Sequence, residues 1–279
     1  MKKIHIVTDS TADLIEQYTD QYDIHVVPLS IQINGETYLD GVDLQPQSFM
    51  EKMRESKELP KSSQPAVGAF KELYDRLGRD GSEIISIHMT GGMSGTVKSA
   101  EAAAEMTDSN VTVIDSMYIS HALTFQVVEA SKMASVGKSV AEILDRLDEV
   151  RKNTTLYVVV DMLDNLVKGG RIGKGKALIG SLLKIKPIAM LQDGVYSPVA
   201  KARSHKQVVS HLYNAFKEET AGKIIRSVGI SHANGMTMAE PLLKLLEEYG
   251  CKDIKFSFTS PIISTHTGEG AIGFMYYTD

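Results

Sequence analysis

The stretch from residue 84 to residue 96, IISIHMTGGMSGT, constrains the fold more than any other part of the chain. Its first six residues are mostly apolar and β-branched, which is typical of a buried strand. Gly91 and Gly92 then allow a positive φ and the close approach of another backbone. An alanine-rich helical pattern begins at Ser94. Because a helix start presents unpaired N–H groups at its positive end, the stretch predicts either an anion site or an ordinary turn in which Ser94 caps the helix.

Strands and helices alternate through the first half of the chain. Apolar strands are predicted at Lys3–Thr8 and Asn110–Asp115 as well as at 84–89. This alternation is typical of an α/β domain with a mostly parallel sheet. After Asn153 the pattern changes and includes a hairpin around Gln192-Asp193-Gly194, which indicates an α+β domain with a partly antiparallel sheet. We therefore predict two domains, residues 1–153 and 154–279.

Shorter signals predict local structure in the first domain. Ser10 and Asp13 have the spacing of a capping box, so a helix is predicted to begin there. Residues 25–33 are interpreted as one strand, and the following Asn34-Gly35 as a hairpin turn. The segment 58–65, bracketed by two prolines, is interpreted as a loop.

Composition excludes several classes of protein. Of the 279 residues 43% are apolar, and no run approaches the roughly 18 apolar residues of a transmembrane helix. The single cysteine, Cys251, excludes an internal disulfide and the usual zinc ligand sets, so we expect no metal and no cofactor. A net charge of −5 argues against a general nucleic-acid binder. Since the N-terminal residues lack a secretion-signal pattern, the expected location is the cytoplasm.

Residues 170–177, GRIGKGKA, nearly match the P-loop pattern GxxxxGK[ST]. However, Ala177 replaces the hydroxyl that would hold magnesium, and a helix rather than a strand is predicted before the segment. A nucleotide-binding protein that uses residues 170–177 is one alternative. The other interpretation is a flexible basic loop whose Arg171, Lys174 and Lys176 meet solvent, a phosphate or an acidic partner.

A serine hydrolase that uses Ser94 and His266 is a second alternative. The segment GMSGT at 92–96 nearly matches a nucleophile elbow. His266 lies in the segment 264–273, which we interpret as a loop in which glycines let the backbone approach a ligand. Asp9 or Asp115 could orient His266 as a catalytic base. His88, in the apolar strand, is interpreted as a core residue.

Five motifs, in order along the chain, resemble the landmarks of the DegV family. The resemblance spans essentially the whole sequence, and Ser62 stands where that family usually has threonine. The motifs are DSTADL at 9–14, SSQP at 62–65, SGT at 94–96, GGRI at 169–172 and HTGEGA at 266–271.

The resemblance implies a two-domain α/β protein that holds one long-chain fatty acid, such as palmitate, stearate or oleate, in an apolar pocket between its domains. It also implies a lipid-binding subunit of bacterial fatty acid kinase with no catalysis of its own. A separate ATP-dependent kinase protein would phosphorylate the bound carboxylate, giving an acyl phosphate for phospholipid synthesis. The matching carboxylate positions are Ser62, Ser63, Ser94, Gly95 and His266, and the positions for head-group contact or kinase docking are Arg171 and Arg203. Hydroxyls and backbone amides would then hold the anion without a buried arginine.

Overall fold

The computed structural model describes residues 2–14, 18, 21–178 and 185–279. Within these ranges the fold is mixed α/β, as predicted, with a parallel sheet in the N-terminal region and a largely antiparallel sheet in the C-terminal region. The strands are β1 Ile4–Asp9, β2 Ile24–Val27, β3 Ser30–Ile33, β4 Glu36–Leu39, β5 Lys61–Ser63, β6 Glu83–His88, β7 Asn110–Asp115, β8 Thr154–Val159, β9 Lys186–Gln192, β10 Val195–Ala202, β11 Ile225–Ala233, β12 Lys255–Phe258 and β13 Ala271–Thr278. The helices are α1 Pro46–Glu55, α2 Val67–Leu77, α3 Thr96–Glu105, α4 Ser120–Ser135, α5 Val140–Lys152, α6 Asp164–Lys168, α7 His205–Glu219, α8 Met236–Tyr249 and α9 Pro261–Thr267, with a 3-10 helix at Gly173–Leu178. None of the helices in the described ranges is long and apolar enough to cross a membrane.

The N-terminal sheet has the strand order β2-β1-β6-β7, and each of its neighbouring pairs is parallel. Strand β6, one of the two inner strands, is part of the apolar run at residues 84–89 that the sequence predicts to be a buried strand. His88 is a core residue, as interpreted: it is fully buried, with Nε2 2.7 Å from the Ser86 hydroxyl and Nδ1 3.1 Å from an Asp9 carboxylate oxygen. These contacts join the carboxyl ends of β1 and β6.

The C-terminal sheet has the order β10-β9-β8-β13-β11-β12. The predicted hairpin is confirmed, since Val195 pairs with Gln192 across a turn in which Asp193 and Gly194 have φ values of 51° and 74°. This turn packs on the glycine turn that follows β6. A Cβ on Gly92 would lie 2.6 Å from the Gly194 carbonyl oxygen, so Gly92 is needed where two backbones meet.

Helix α4 lies between the two sheets and contacts β1 on one side and β11 and β13 on the other. It is buried on nearly all sides over its first three turns. An α-helix that is buried all round, with no polar face toward water, is a core element. The two sheets therefore share one apolar core, which includes Ile85 and Leu123 together with Val158 and Met275.

The interpretation of residues 25–33 as one strand is wrong. Pro28, which lacks an N–H donor, separates β2 from β3, and the two strands belong to different sheets. The Asn34-Gly35 turn is confirmed, because β3 and β4 pair antiparallel across it and both residues have positive φ. The predicted loop at 58–65 contains the strand β5, which pairs with β3 and places Ser62 opposite Ile31.

The segment after residue 260 also differs from the prediction. Residues 261–267 form helix α9, which begins with Pro261 and is capped by the Ser260 hydroxyl accepting from the Ile263 N–H. His266 therefore lies on a helix rather than in a loop. The helix predicted to begin at Ser10–Asp13 extends over residues that lie outside the described ranges.

Candidate functional site

A cavity of about 310 Å³ lies between the carboxyl end of the parallel sheet and the C-terminal sheet. This volume falls within the usual range for small-molecule sites. The apolar part of its wall, which we call the acyl slot, is formed by Leu29, Met89, Met93, Ile119, Val158, Leu166, Leu191, Tyr196, Ile262 and Ile263. The polar part, which we call the head cluster, is formed by Ser62, Ser63, Gln64, Ser94, Gly95, Arg171 and His266.

The acyl slot continues toward β13. A smaller cavity of about 20 Å³ shares Ile119, Val158 and Ile263 with the slot and reaches Ile272 and Gly273. The slot residues Val158 and Ile119 are buried, whereas Ser63 in the head cluster is exposed. The cavity therefore runs from a polar end near solvent into the apolar core.

The head cluster is centred on a contact between two predicted residues that are far apart in sequence. Ser62 on β5 has its hydroxyl oxygen 2.7 Å from Nε2 of His266 on α9. The histidine ring lies tightly against Gly169, because a Cβ there would be only 2.2 Å from Nδ1. The glycine of the GGRI motif is thus required to let the imidazole reach Ser62.

His266 is neutral at physiological pH. Burial lowers the pKa of its imidazole to about 4, and the positive charge of Arg171 adds to this effect. Nδ1 has no hydrogen-bond partner in the described part of the chain and faces Gly169. Since an unpaired N–H is costlier than an unpaired lone pair, we assign the proton to Nε2, which donates to the Ser62 oxygen. The Ser62 O–H is then available to donate into the cavity.

The start of α3 forms the second wall of the head cluster. One interpretation of the sequence was that Ser94 caps the helix, and this is wrong. The N-cap is Gly95, and the Ser94 hydroxyl lies 2.8 Å from the Thr96 hydroxyl. A Cβ on Gly95 would lie 2.0 Å from Oε1 of Gln64, whose Nε2 donates to the Ser99 hydroxyl at 2.7 Å. Gln64 is therefore packed over the positive end of the helix dipole.

Arg171 lies at the same end of the cavity. Its Nε donates to the Met93 carbonyl at 2.9 Å and its Nη1 to the Gly169 carbonyl at 2.6 Å. The side chain is half-buried, and burial lowers its pKa from the ordinary value. The sequence analysis expected hydroxyls and amides to hold an anion without a buried arginine, and folding places the half-buried Arg171 guanidinium at the cavity wall beside them. Arg171 supplies the positive charge that hydroxyls and amides lack.

The P-loop interpretation of residues 170–177 is also wrong. The segment follows the helix α6 rather than a strand, and residues 173–178 form a 3-10 helix instead of an open loop around a phosphate. Lys174 and Lys176 are exposed. Gly173 packs on β10, since a Cβ there would lie 2.6 Å from the Tyr196 carbonyl oxygen.

Arg203 is separate from the other predicted residues. It is exposed at the start of α7, where its backbone N–H donates to Gln207 Oε1 at 2.8 Å, and it does not line the cavity. The structure brings the other six predicted residues together at the head cluster. The sequence analysis missed Gln64 and Met93 as site residues, although each lies inside or next to a motif that it had identified.

The structure does not assemble a hydrolase triad from the residues considered. Ser94 contacts Thr96 rather than His266. The Asp9 carboxylate bonds to His88 and to Thr11, and Asp115 accepts from the Gly91 and Met117 amides. Ser62 does meet His266, but no carboxylate within the described ranges orients Nδ1. A histidine with a pKa of about 4 and no orienting carboxylate is a poor base for activating a hydroxyl.

Comparison with known proteins adds a second line of observation. A family model described as an uncharacterised protein of the DegV family matches residues 3–279. A DegV domain-containing protein of Listeria innocua is 45% identical over 281 residues, and the match covers 100% of both chains. A solved structure of a DegV family protein from Thermus thermophilus, described by its fatty acid binding, is 29% identical with a TM-score of 0.94 and covers 99% of this chain and 100% of that one. DegV from Bacillus subtilis, described as a fatty acid binding protein, is 35% identical with a TM-score of 0.91 and covers 100% of both chains.

Proposed function

The chain belongs to the DegV family, and from this premise we propose that it binds one long-chain fatty acid, such as palmitate, stearate or oleate, in the cavity described above. The carboxylate occupies the head cluster and the hydrocarbon tail fills the acyl slot. The observation that carries the proposal is the continuity of a polar, positively charged end with an apolar wall of mostly buried side chains. The fatty acid binding described for the Thermus and Bacillus relatives supports it.

The acyl slot supplies the driving force for binding. Transfer of about 14 methylenes from water is worth roughly 0.8 kcal/mol each, or about 11 kcal/mol in total. Loss of the free motion of the ligand and ordering of its chain offset a large part of this gain. The head cluster therefore acts chiefly on orientation, since it fixes which end of the ligand remains near solvent.

The head cluster holds the carboxylate with one charge and several neutral donors. Arg171 provides the charge, and its Nη2 takes part in no hydrogen bond among the described residues. The Ser62 and Ser94 hydroxyls and the amide of Gly95 add donors around the same point. His266 acts through Ser62, because its Nε2–H directs the serine proton toward the ligand. Ser63 lies at the exposed rim.

We further propose that the protein is a lipid-binding subunit without catalysis of its own, and that a separate ATP-dependent kinase protein phosphorylates the bound carboxylate. The half-buried head cluster supports this, since a carboxylate held there stays accessible from solvent. Arg203, exposed and outside the cavity, is assigned to kinase docking. The proposed domains remain 1–153 and 154–279, supported by the parallel sheet built from residues 4–115 and the six-stranded sheet built from residues 154–278.

A matched pair of substitutions tests fatty-acid binding. Val158 is 6% exposed and lines the slot, whereas Val199 is 44% exposed on β10. Delipidated wild type and Val199→Phe should bind oleate, with a gain of about 2.7 kcal/mol in unfolding free energy at a 100-fold excess over Kd. Val158→Phe fills the slot and should bind little or none. Its melting temperature without ligand, compared with that of wild type, establishes that it is folded.

Native mass spectrometry and thermal unfolding of the three proteins provide the readouts. A wild type that carries no acyl chain and is not stabilised by oleate or palmitate would refute the proposal. For the kinase step, Arg203→Ala should keep wild-type oleate affinity while acyl phosphate formation by the partner kinase slows. Unchanged phosphorylation in this variant would remove Arg203 from the docking surface.

A further inference from the structure

Three metal-binding side chains converge at the amino end of the parallel sheet. Nδ1 of His5 and an oxygen of Asp23 are 3.0 Å apart, Nε2 of His25 and the other oxygen of Asp23 are 3.0 Å apart, and the two imidazole nitrogens are 3.4 Å apart. One possible ligand atom from each residue therefore lies within 4.8 Å of those of the other two. Within the described ranges, this is the group of histidine, cysteine, aspartate and glutamate side chains that comes close enough to hold an ion.

Strand register explains why these side chains meet. β1 and β2 are parallel neighbours, and Val7 pairs with His25. Side chains alternate between the two faces of a strand, so His5 lies on the same face of the sheet as Val7 and His25. Asp23 precedes β2 by one residue and is two residues from His25, which places it on this face as well. The arrangement is a consequence of the fold rather than of chance contact between mobile side chains.

The spacing of these ligand atoms is compatible with the coordination sphere of a transition metal. Zinc binds imidazole nitrogen and carboxylate oxygen at about 2.0–2.2 Å, so two ligand atoms of a tetrahedral site lie about 3.3 Å apart. Nδ1 of His5 lies 3.0 Å from one Asp23 oxygen and 3.4 Å from Nε2 of His25, and both separations are close to this edge length. The separation of 3.0 Å between His25 and Asp23 is to the other carboxylate oxygen. Two imidazoles and one carboxylate are also a ligand set that divalent transition metals favour over magnesium or calcium.

Charge and burial around the three residues are compatible with this role. His5 is 7% exposed, His25 is half-buried, and Asp23 is exposed. The Lys3 ammonium lies 2.8 Å from Asp23. Its side chain is 59% exposed and can turn away into water.

We propose that His5, Asp23 and His25 bind one divalent transition-metal ion, with zinc as the ion and a water molecule at the fourth position. The expectation of no metal came from the single cysteine and did not consider ligands from neighbouring strands. The site lies at the amino end of the parallel sheet, whereas the head cluster lies at the carboxyl end, so zinc binding is independent of fatty-acid binding. A bound ion would link β2 to β1 and stabilise the pairing of these two strands.

The test uses full-length protein stripped with EDTA and titrated with zinc chloride by calorimetry, with circular dichroism to establish folding. Asp23→Asn retains a hydrogen-bond acceptor but loses the charged ligand, and His25→Gln removes one imidazole. Each should weaken zinc binding by more than the ~10–100-fold that loss of an outer-shell partner costs. The matched control is His211→Gln, which changes a histidine outside the cluster that packs edge-to-face against Tyr157, and it should bind zinc as wild type does.

Lys3→Ala gives a change of the opposite sign that misfolding cannot imitate. Removal of the ammonium beside Asp23 should raise zinc affinity several-fold, because a cation competes with the metal for the carboxylate. Cobalt in place of zinc should give the intense visible absorption of a four-coordinate ion in wild type and lose it in Asp23→Asn. A wild type that takes up no zinc, wild-type affinity in Asp23→Asn or His25→Gln, or no gain in Lys3→Ala would each overturn the proposal.

Discussion

Gly169→Ala is the substitution through which the head cluster can be tested most directly. Gly169 has a φ of −77°, so alanine meets no backbone strain there. Its new Cβ would nevertheless lie 2.2 Å from Nδ1 of His266 and 2.9 Å from the Asn165 carbonyl oxygen, so the imidazole meets the much closer contact. The substitution therefore acts on the imidazole ring and, through it, on Ser62.

The size of the effect follows from two distances. An unstrained contact between carbon and nitrogen is about 3.4 Å, so the ring must move by about 1.2 Å. The same movement would lengthen the Ser62–His266 contact from 2.7 Å to as much as about 3.9 Å, beyond hydrogen-bond range. Loss of this bond and of the orientation of Ser62 should weaken oleate binding by about 1–2 kcal/mol, or roughly 5–30-fold. Overpacking should lower the free energy of unfolding by about 1–3 kcal/mol.

Gly170→Ala is the matched control. Gly170 has a φ of +74° and open space around the position of a Cβ. Alanine there should lower the free energy of unfolding by about 1–2 kcal/mol through left-handed strain. It has no reason to move His266, so oleate affinity should remain at the wild-type value. Stability falls in both variants, and affinity falls only in Gly169→Ala.

The assay is a double-mutant cycle with His266→Ala, measured by oleate calorimetry and by urea unfolding. Without the imidazole, Gly169→Ala should lose most of its effect on affinity, because the atom that it displaces is absent. If Gly169→Ala binds oleate as wild type does, or costs as much affinity in the His266→Ala background as alone, the reasoning about the ring is refuted.

Three further predictions concern charge. In calorimetry, Arg171→Ala should weaken oleate binding by about 1.5–3 kcal/mol. Arg171→Lys should restore only part of the lost affinity, because lysine lacks the planar, two-pronged guanidinium group. Equal affinity in wild type and both variants would contradict this. Burial raises the pKa of Asp40 from 3.8 to about 7, so the unfolded chain ionises first and stability is lost as pH rises from about 4 to about 7. In urea unfolding, Asp40→Asn should therefore raise the free energy of unfolding by at most ~4 kcal/mol at pH 8 and by little at pH 4. A difference that does not depend on pH would contradict this. Burial lowers the pKa of His266 from 6.5 to about 4, so stability should be lost as pH drops through this interval. In urea unfolding, this loss should be smaller in His266→Gln than in wild type by up to ~3 kcal/mol. An equal loss in both proteins would show that the imidazole is not buried.

Several elements of the fold could be predicted from local sequence. The strand at residues 110–115, the hairpin turns at Asn34-Gly35 and Asp193-Gly194, and the glycine turn after β6 all appear in the structure. Each depends on a pattern that acts over a few residues: apolar continuity for a buried strand, a residue that tolerates positive φ for the two hairpin turns, or glycines without a side chain for the turn after β6. The family could also be recognised from local sequence, because the DegV motifs are short and occur in a fixed order along the chain.

Predictions failed where tertiary contacts override a local pattern. The segment 61–63 is a strand because β3 offers it a partner, and nothing in its own residues distinguishes it from a loop. His266 lies on a helix because a proline and a serine cap start α9 just upstream, a signal that the glycines after it obscured. The assignment of Arg171 to the head group or the kinase stays a prediction, and its place at the cavity wall depends on hydrogen bonds to carbonyls brought there by folding.

The sequence by itself determined the fold class, the family and six of the seven residues that form the head cluster. Only the tertiary structure decided how they act: it set Ser62 against His266, 204 residues away, excluded Arg203 from the cavity, and brought His5, Asp23 and His25 together. The reason is physical. Secondary-structure periodicity records which face of each segment is buried, whereas the distance between two side chains from remote segments depends on how whole sheets and helices pack.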